Sequence, residues 1–162
     1  AHGLSFLARW NGQTVGDYPF SVAQHSLLVE NIFSMQFPDM DNPSKLFALL
    51  HDSAEYVIGD MISPIKSHLG AEYEELDENL TTAICMRFNI PTKKIETIKK
   101  RVKIADKKAA WLEAINLAGF SQRDADRIFG KQKEIEGFES SLLPEAPFIV
   151  RKNFVNRFNE LY

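Results

Sequence analysis

The chain has 162 residues, of which 44% are hydrophobic and 25% charged, the proportions of a folded domain with its own core rather than of a disordered segment. A formal net charge of −3 excludes a general nucleic-acid coat, and the single cysteine, Cys85, excludes an internal disulfide and any CxxC zinc site. No apolar run approaches the roughly 20 residues of a membrane span and no signal-peptide pattern opens the chain; because Ala1 is not Met, residues upstream are expected.

Helical spacing dominates from end to end. Val22, Leu28 and Ile32, with Val29 and Phe33 beside them, predict a first amphipathic helix, and the Trp10–Phe20 stretch before it, carrying Gly12, Gly16 and Pro19, reads as a loop. Asp41-Asn42-Pro43-Ser44 is a helix start for the apolar stretch Leu46–Leu50. Leu76, Leu80, Ile84 and Phe88 recur every four residues, and Asn89-Ile90-Pro91 ends that helix. A long helix follows from the 3-4 spacing of Ile95, Ile98, Val102, Ala105, Ala109 and Leu112, with Gly119 as its stop. Ser121 with Asp124 resembles a capping box, 137–147 is the best loop, and a last amphipathic helix runs from about Phe148 to Leu161. Strand alternation is weak throughout, and no repeat or composition shift marks a second domain. The expectation is therefore an all-α, compact helical bundle, one domain over 1–162.

The segment richest in chemistry is His51-Asp52-Ser53-Ala54-Glu55-Tyr56-Val57-Ile58-Gly59-Asp60. On a continuous helix His51 and Glu55 share a face, with Asp52 about 100° around. A His-Asp pair at the end of an apolar helix is costly to bury alone, and a divalent cation would accept both the imidazole nitrogen and the carboxylate oxygen. Taken alone, a surface pair explains such a dipeptide better. His25 inside the first helix, Asp106 in the middle of an apolar-faced helix, and the additional acid Asp60 strengthen the metal reading.

These residues, in this order, resemble the signature of the HD-domain metal-dependent phosphohydrolases: a His, a His-Asp pair and a distant Asp, matched by His25, His51-Asp52 and Asp106. The likeness is closest to the subgroup of bacterial 5′-deoxynucleotidases and phage dATP triphosphohydrolases. Its Arg-Trp pair is matched by Arg9-Trp10, its Val-x-x-His-Ser by Val22–Ser26, its His-Asp-x-x-Glu and Gly-Asp by His51, Asp52, Glu55, Gly59 and Asp60, and its Pro-x-Lys by Pro64-Ile65-Lys66. The match covers roughly the first 115 residues; the region after Gly119 matches no motif of the subgroup.

The resemblance implies a single divalent transition metal (cobalt, manganese, zinc, nickel or iron, with magnesium an option for a triphosphate substrate) held by His25, His51, Asp52 and Asp106. It implies catalytic roles for Glu55 and Asp60, the division between them left open. Arg9 and Lys66 would contact phosphate, Trp10 would press on the sugar and exclude a 2′-hydroxyl, and Pro64 and Ile65 would lie against the base. The implied activity removes phosphate from deoxynucleotides, with dATP or another deoxynucleoside triphosphate preferred and a deoxynucleoside monophosphate the alternative. Cleavage of a cyclic nucleotide or alarmone, which other HD enzymes perform, and a nucleotide-binding regulatory module without turnover are the other readings. The implied setting is the cytoplasm of a bacterium or of a phage-infected host, as a homo-oligomer (dimer or hexamer) with no nucleic-acid or membrane partner. Phe120, Phe148, Phe154 and Phe158 are the candidate interface residues, and Trp111 reads as core or interface.

Elsewhere the simpler explanations stand. His2 and His68 are expected at the surface, and Cys85 as a small core residue. The run Lys93, Lys94, Lys99, Lys100, Arg101 and Lys103 reads as a solvated face, or alternatively as a positive rim that draws in polyphosphate. Glu72, Glu74, Glu75, Asp77 and Glu78 read as solvated too.

Overall fold

In a computed structural model, residues 1–91, 95–133, 137–138 and 140–162 are described. Lys93 and Lys94 of the basic run lie outside them. Helix α1 is His2–Phe6, α2 Val22–Gln36, α3 Asn42–Leu50, α4 Glu55–Ile58, α5 Ser63–Leu69, α6 Ala71–Arg87, α7 Ile95–Asn116, α8 Gln122–Phe129 and α9 Pro147–Leu161. The fold is all-α: among the described residues the one piece of extended pairing is an isolated antiparallel bridge between Ala8 and Ser21. No helix among them is long and apolar enough to cross a membrane.

Local chemistry sets the helix starts. Ser21 caps α2 by accepting from the Gln24 amide, Asp41 caps α3 by accepting from Ser44, and Ser121 caps α8 by accepting from Asp124. Pro43 and Pro147 stand in the first turns of α3 and α9, where a missing N–H costs nothing. Past the end of α7, Gly119 takes φ +72°, and the Phe120 amide closes back on the Ala114 carbonyl.

Helix α2 is the axis of the molecule. It packs on α1, α3, α7 and α9, and its residues from Val22 to Ser26 are all buried. Phe20, Val29, Ile32 and Phe33 have no solvent exposure, and each such side chain contributes about 1.5–3 kcal/mol of apolar burial. Encirclement explains why its apolar pattern is less one-sided than that of a surface helix. Ala105 and Ala109 of α7 are fully buried small residues on the most extensively packed neighbour of α2. Between α2 and α9, the nearly buried Glu30 is held by Arg157, whose Nε and Nη2 each donate at 2.8 Å, and by the Ser34 hydroxyl at 2.6 Å.

Some residues sit differently from expectation. Phe154, read as an interface candidate, belongs to the protein's own core; so does Trp111, in keeping with the core alternative read for it, and its indole donates to Asp126. Phe120 and Phe158 pack against that core, whereas Phe148 is 65% exposed. The four-residue spacing of Leu76–Phe88 forms α6 as expected, but within that helix only Cys85 is fully buried. His2 and His68 are exposed, as read.

Candidate metal centre and cleft

The His-Asp pair does not sit on a continuous helix. α3 ends at Leu50, and residues 51–54 turn with tighter bonds, Ser53 N to Leu50 O at 2.9 Å and Glu55 N to Asp52 O at 3.0 Å. Bonds of this i→i+3 type align residues three apart rather than four. Asp52 and Glu55 therefore both line the cleft, while His51 lies behind it; the expected His51–Glu55 face is corrected to an Asp52–Glu55 one. The short helix α4 ends at Gly59, whose φ of +81° favours glycine, and the reversal there carries Asp60 to the cleft wall.

Three segments converge beneath this turn. His25 comes from the first turn of α2 and is completely buried. Its Nε2 is 3.3 Å from Asp52 Oδ2 and 3.3 Å from Asp106 Oδ1, the latter from the middle of α7. His51 Nε2 is 3.2 Å from the same Asp52 oxygen, and the two imidazole centroids are 5.3 Å apart. Donor atoms of His25, His51 and Asp52 all lie within 4.8 Å of one another.

The outer nitrogens are fixed by acceptors. His51 Nδ1 is 2.9 Å from the Ala48 carbonyl, and His25 Nδ1 is 2.5 Å from Glu113 Oε1; each acceptor requires the N–H on that side. Both Nε2 atoms are left pointing inward, buried and without a hydrogen-bond partner. Two orphaned imidazole nitrogens facing the Asp52 carboxylate form the mixed nitrogen and oxygen donor set that a divalent transition metal accepts, so His25, His51 and Asp52 fit such an ion; Asp106 adjoins them through Oδ1, while its Oδ2 accepts from Lys103 Nζ at 2.7 Å. Burial opposes charge throughout the cluster. Nevertheless, His51 with His25 holds the Asp52 pKa well below its ordinary value. Asp106 is lowered as well, chiefly by the adjacent His25 imidazole working against burial.

Above the cluster opens a cleft of ≈ 820 Å³. Arg9, Trp10, Asp52, Glu55, Asp60, Pro64, Lys66 and Asp106 all line it, which brings together almost the whole set chosen from sequence. His25 and His51 lie behind the wall, and Ile65 is 49% exposed and absent from it. Successive residues of α5 point about 100° apart, so Pro64 faces the cleft and its neighbour does not. Of the described basic run only Lys103 reaches the wall, joined by Lys107; Lys99 pairs with Glu96 and Arg101 covers the Phe37 ring. A smaller apolar groove of ≈ 350 Å³, lined by residues of α1, α4, α6 and α9, contains none of the candidate site residues.

Glu55 is buried. Lys66 Nζ donates to its Oε1 at 3.0 Å, while Oε2 has no partner. Burial, then the charges of Asp52 and Asp60, push its pKa up to about 7 against the opposing pull of Lys66. The Lys66 ammonium is thus not a free phosphate contact: one of its three N–H donors is committed to Glu55.

Glu113 was not anticipated. It has 0% exposure on α7 and accepts three hydrogen bonds, from His25 on Oε1 and from Arg9 Nε and Trp10 Nε1 on Oε2, the latter two at 2.9 Å each. Burial pushes its carboxyl up, but Arg9, His25 and the indole prevail and hold it below the usual value. Two signals were available in the sequence: a lone acid within the apolar run Ala109–Ile115, and a seven-residue spacing from Asp106, which is two helical turns on the same face.

Fold and site together define an all-α protein with a buried His/Asp cluster at the foot of an open cleft. No known family profile matches the chain. It is 50% identical over 163 residues to an uncharacterized protein of Rhodobacter capsulatus, an alignment that covers 99% of this chain and 82% of that protein. The chain belongs to the same family as that protein.

Proposed function

We propose that the protein is a metal-dependent phosphohydrolase acting on deoxynucleotides, with deoxynucleoside triphosphates such as dATP preferred over monophosphates. The observation that carries this reading is the pair of buried, unpartnered Nε2 atoms of His25 and His51 facing Asp52 and Asp106, directly beneath a cleft that holds Glu55, Arg9 and Trp10. These four side chains would hold the cation. When bound, it supplies Lewis acidity toward water and phosphate.

The chain's own residues carry the remaining steps. Glu55, with a pKa of about 7 and an unpartnered Oε2, is poised to take the proton of the water that attacks phosphorus. As the new oxygen–phosphorus bond forms, the bond to the leaving oxygen breaks, and the proton that Glu55 has taken is available to that oxygen, with Asp60 on the same wall. Arg9 and the remaining donors of Lys66 offset phosphate charge. Lys107 extends the positive rim beside Lys103, whose ammonium is paired with Asp106, and this favours a longer phosphate chain over a single phosphate. Trp10, braced by Phe120 and Phe129 at centroid distances of 5.6 and 6.0 Å, presents a rigid ring to the sugar. A buried acid of tuned pKa beside the cluster favours turnover over simple nucleotide sensing.

The test is a screen of deoxy- and ribonucleotides with cobalt or manganese, reading the phosphorus product by NMR. Tripolyphosphate or stepwise release from dATP is expected. Orthophosphate from monophosphates alone would move the substrate to the 5′-deoxynucleotidase alternative, and no hydrolysis of any nucleotide would overturn the proposal.

A further inference from the structure

The reaction above leaves Glu113 without a part, although it is the most completely buried carboxylate near the cleft and contacts three residues of the site. We propose that Glu113 is a positioning residue that ties His25 to Arg9 and Trp10, so that metal affinity and sugar discrimination depend on one buried carboxylate. The inference rests on the phosphohydrolase reading for its substrate arm only.

The two oxygens divide the work. Oε1 takes the His25 Nδ1–H, which forces the lone pair of Nε2 toward Asp52 and Asp106. Oε2 takes both the Arg9 Nε–H and the Trp10 indole N–H. Phe120 and Phe129 restrict the plane of the Trp10 ring by tilted and edge-on contacts, and the hydrogen bond adds a single fixed direction for the indole N–H. The backbone bears a strain in this place: Trp10 and Asn11 have φ of 56° and 52°, a conformation that a bulky residue adopts only when its surroundings over-determine it.

A carboxylate is the one side chain of this size that can serve all three donors. Glutamine has a single carbonyl oxygen, and its amide would set an N–H against another N–H. Whichever way it turned, either His25 or the Arg9–Trp10 pair would lose its acceptor. Aspartate would fall short by a methylene.

The experiment compares the wild-type protein with Glu113→Gln and Trp10→Phe. Calorimetric titration gives the Co²⁺ affinity, and kcat/KM gives the dATP-to-ATP ratio. Glu113→Gln should weaken Co²⁺ binding by about 10–100-fold, the usual loss when the partner of a metal-binding histidine is changed, and bring the dATP-to-ATP ratio toward one. A carboxylate that merely compensates Arg9 would lower Tm in Glu113→Gln with both readouts unchanged, and that result would overturn the proposal. Trp10→Phe keeps an aromatic ring between Phe120 and Phe129 while deleting the donor. The ratio should fall with Co²⁺ affinity intact, and an unchanged ratio would overturn the proposal even if Glu113→Gln does not fold. If the wild-type protein hydrolyses no nucleotide, the functional reading fails by itself, and the Co²⁺ titration of Glu113→Gln still decides whether Glu113 governs His25.

Discussion

Cation binding should raise the thermal stability of the protein, and the structure sets the scale. His25 Nε2 and His51 Nε2 are buried without partners, and each such group costs about 1–3 kcal/mol while it stays unsatisfied. Asp52 and Asp106 stand 3.2–3.3 Å from those nitrogens, so an ion between them would engage all four groups at once. A ligand that binds only the folded state, present at 100 times its Kd, stabilises by about 2.7 kcal/mol. For a chain of this length each kcal/mol moves Tm by about 2–4 °C, which gives a rise of about 5–11 °C. The assay is differential scanning calorimetry after EDTA treatment, with and without added Co²⁺, on the wild type and on His51→Ala and Asp60→Asn. The shift should vanish in His51→Ala and survive in Asp60→Asn, because Asp60 lies on the cleft wall outside the cluster. A Tm indifferent to cobalt, manganese, nickel, zinc and iron would refute the metal centre, as would a shift that persists undiminished in His51→Ala.

Glu55→Ala should cut turnover by about 100-fold or more while retaining the Co²⁺-dependent Tm shift, since in the proposed reaction Glu55 would take a proton and hold no ion. With Glu55 as base, kcat/KM should rise with pH through a pKa of about 7 or below, a nearby cation favouring the carboxylate; a limb that falls instead would assign Glu55 the acid's role. The wild-type protein should prefer dATP to ATP by about tenfold to hundredfold, the worth of one hydrogen bond lost by a 2′-hydroxyl in a dry pocket. Trp10→Ala should narrow that preference, and equal wild-type rates on the two nucleotides would remove the sugar argument. Arg157→Ala leaves the buried Glu30 with only Ser34 as partner and should cost about 1–3 kcal/mol by urea denaturation, with the Co²⁺ response unaffected.

The sequence by itself determined the helices and the cast of the site. Apolar residues at 3-4 spacing, Ser or Asp caps and well-placed Pro and Gly are local signals, and they predicted α2, α3, α6, α7, α8 and α9 because helix formation depends on neighbours in the chain. His25, His51, Asp52, Asp106, Glu55 and Asp60 were also visible, because their order and local motifs resemble a family signature, which is read along the chain without coordinates. What only the tertiary structure decided is which of these groups meet and what they leave unsatisfied. The tight turn after Leu50 pairs Asp52 with Glu55 rather than His51 with Glu55, because the geometry of four residues depends on how α3 stops against its neighbours. Lys66 is committed to Glu55, and Ile65 faces away from the cleft, through the orientation of α5, which spacing does not encode. Glu113 shows the difference most clearly. Its place within an apolar run marked it as unusual, but its three donors come from residues 88 to 104 positions away, and only the packing of α7 on α2 and the Arg9–Trp10 turn brings them to one carboxylate.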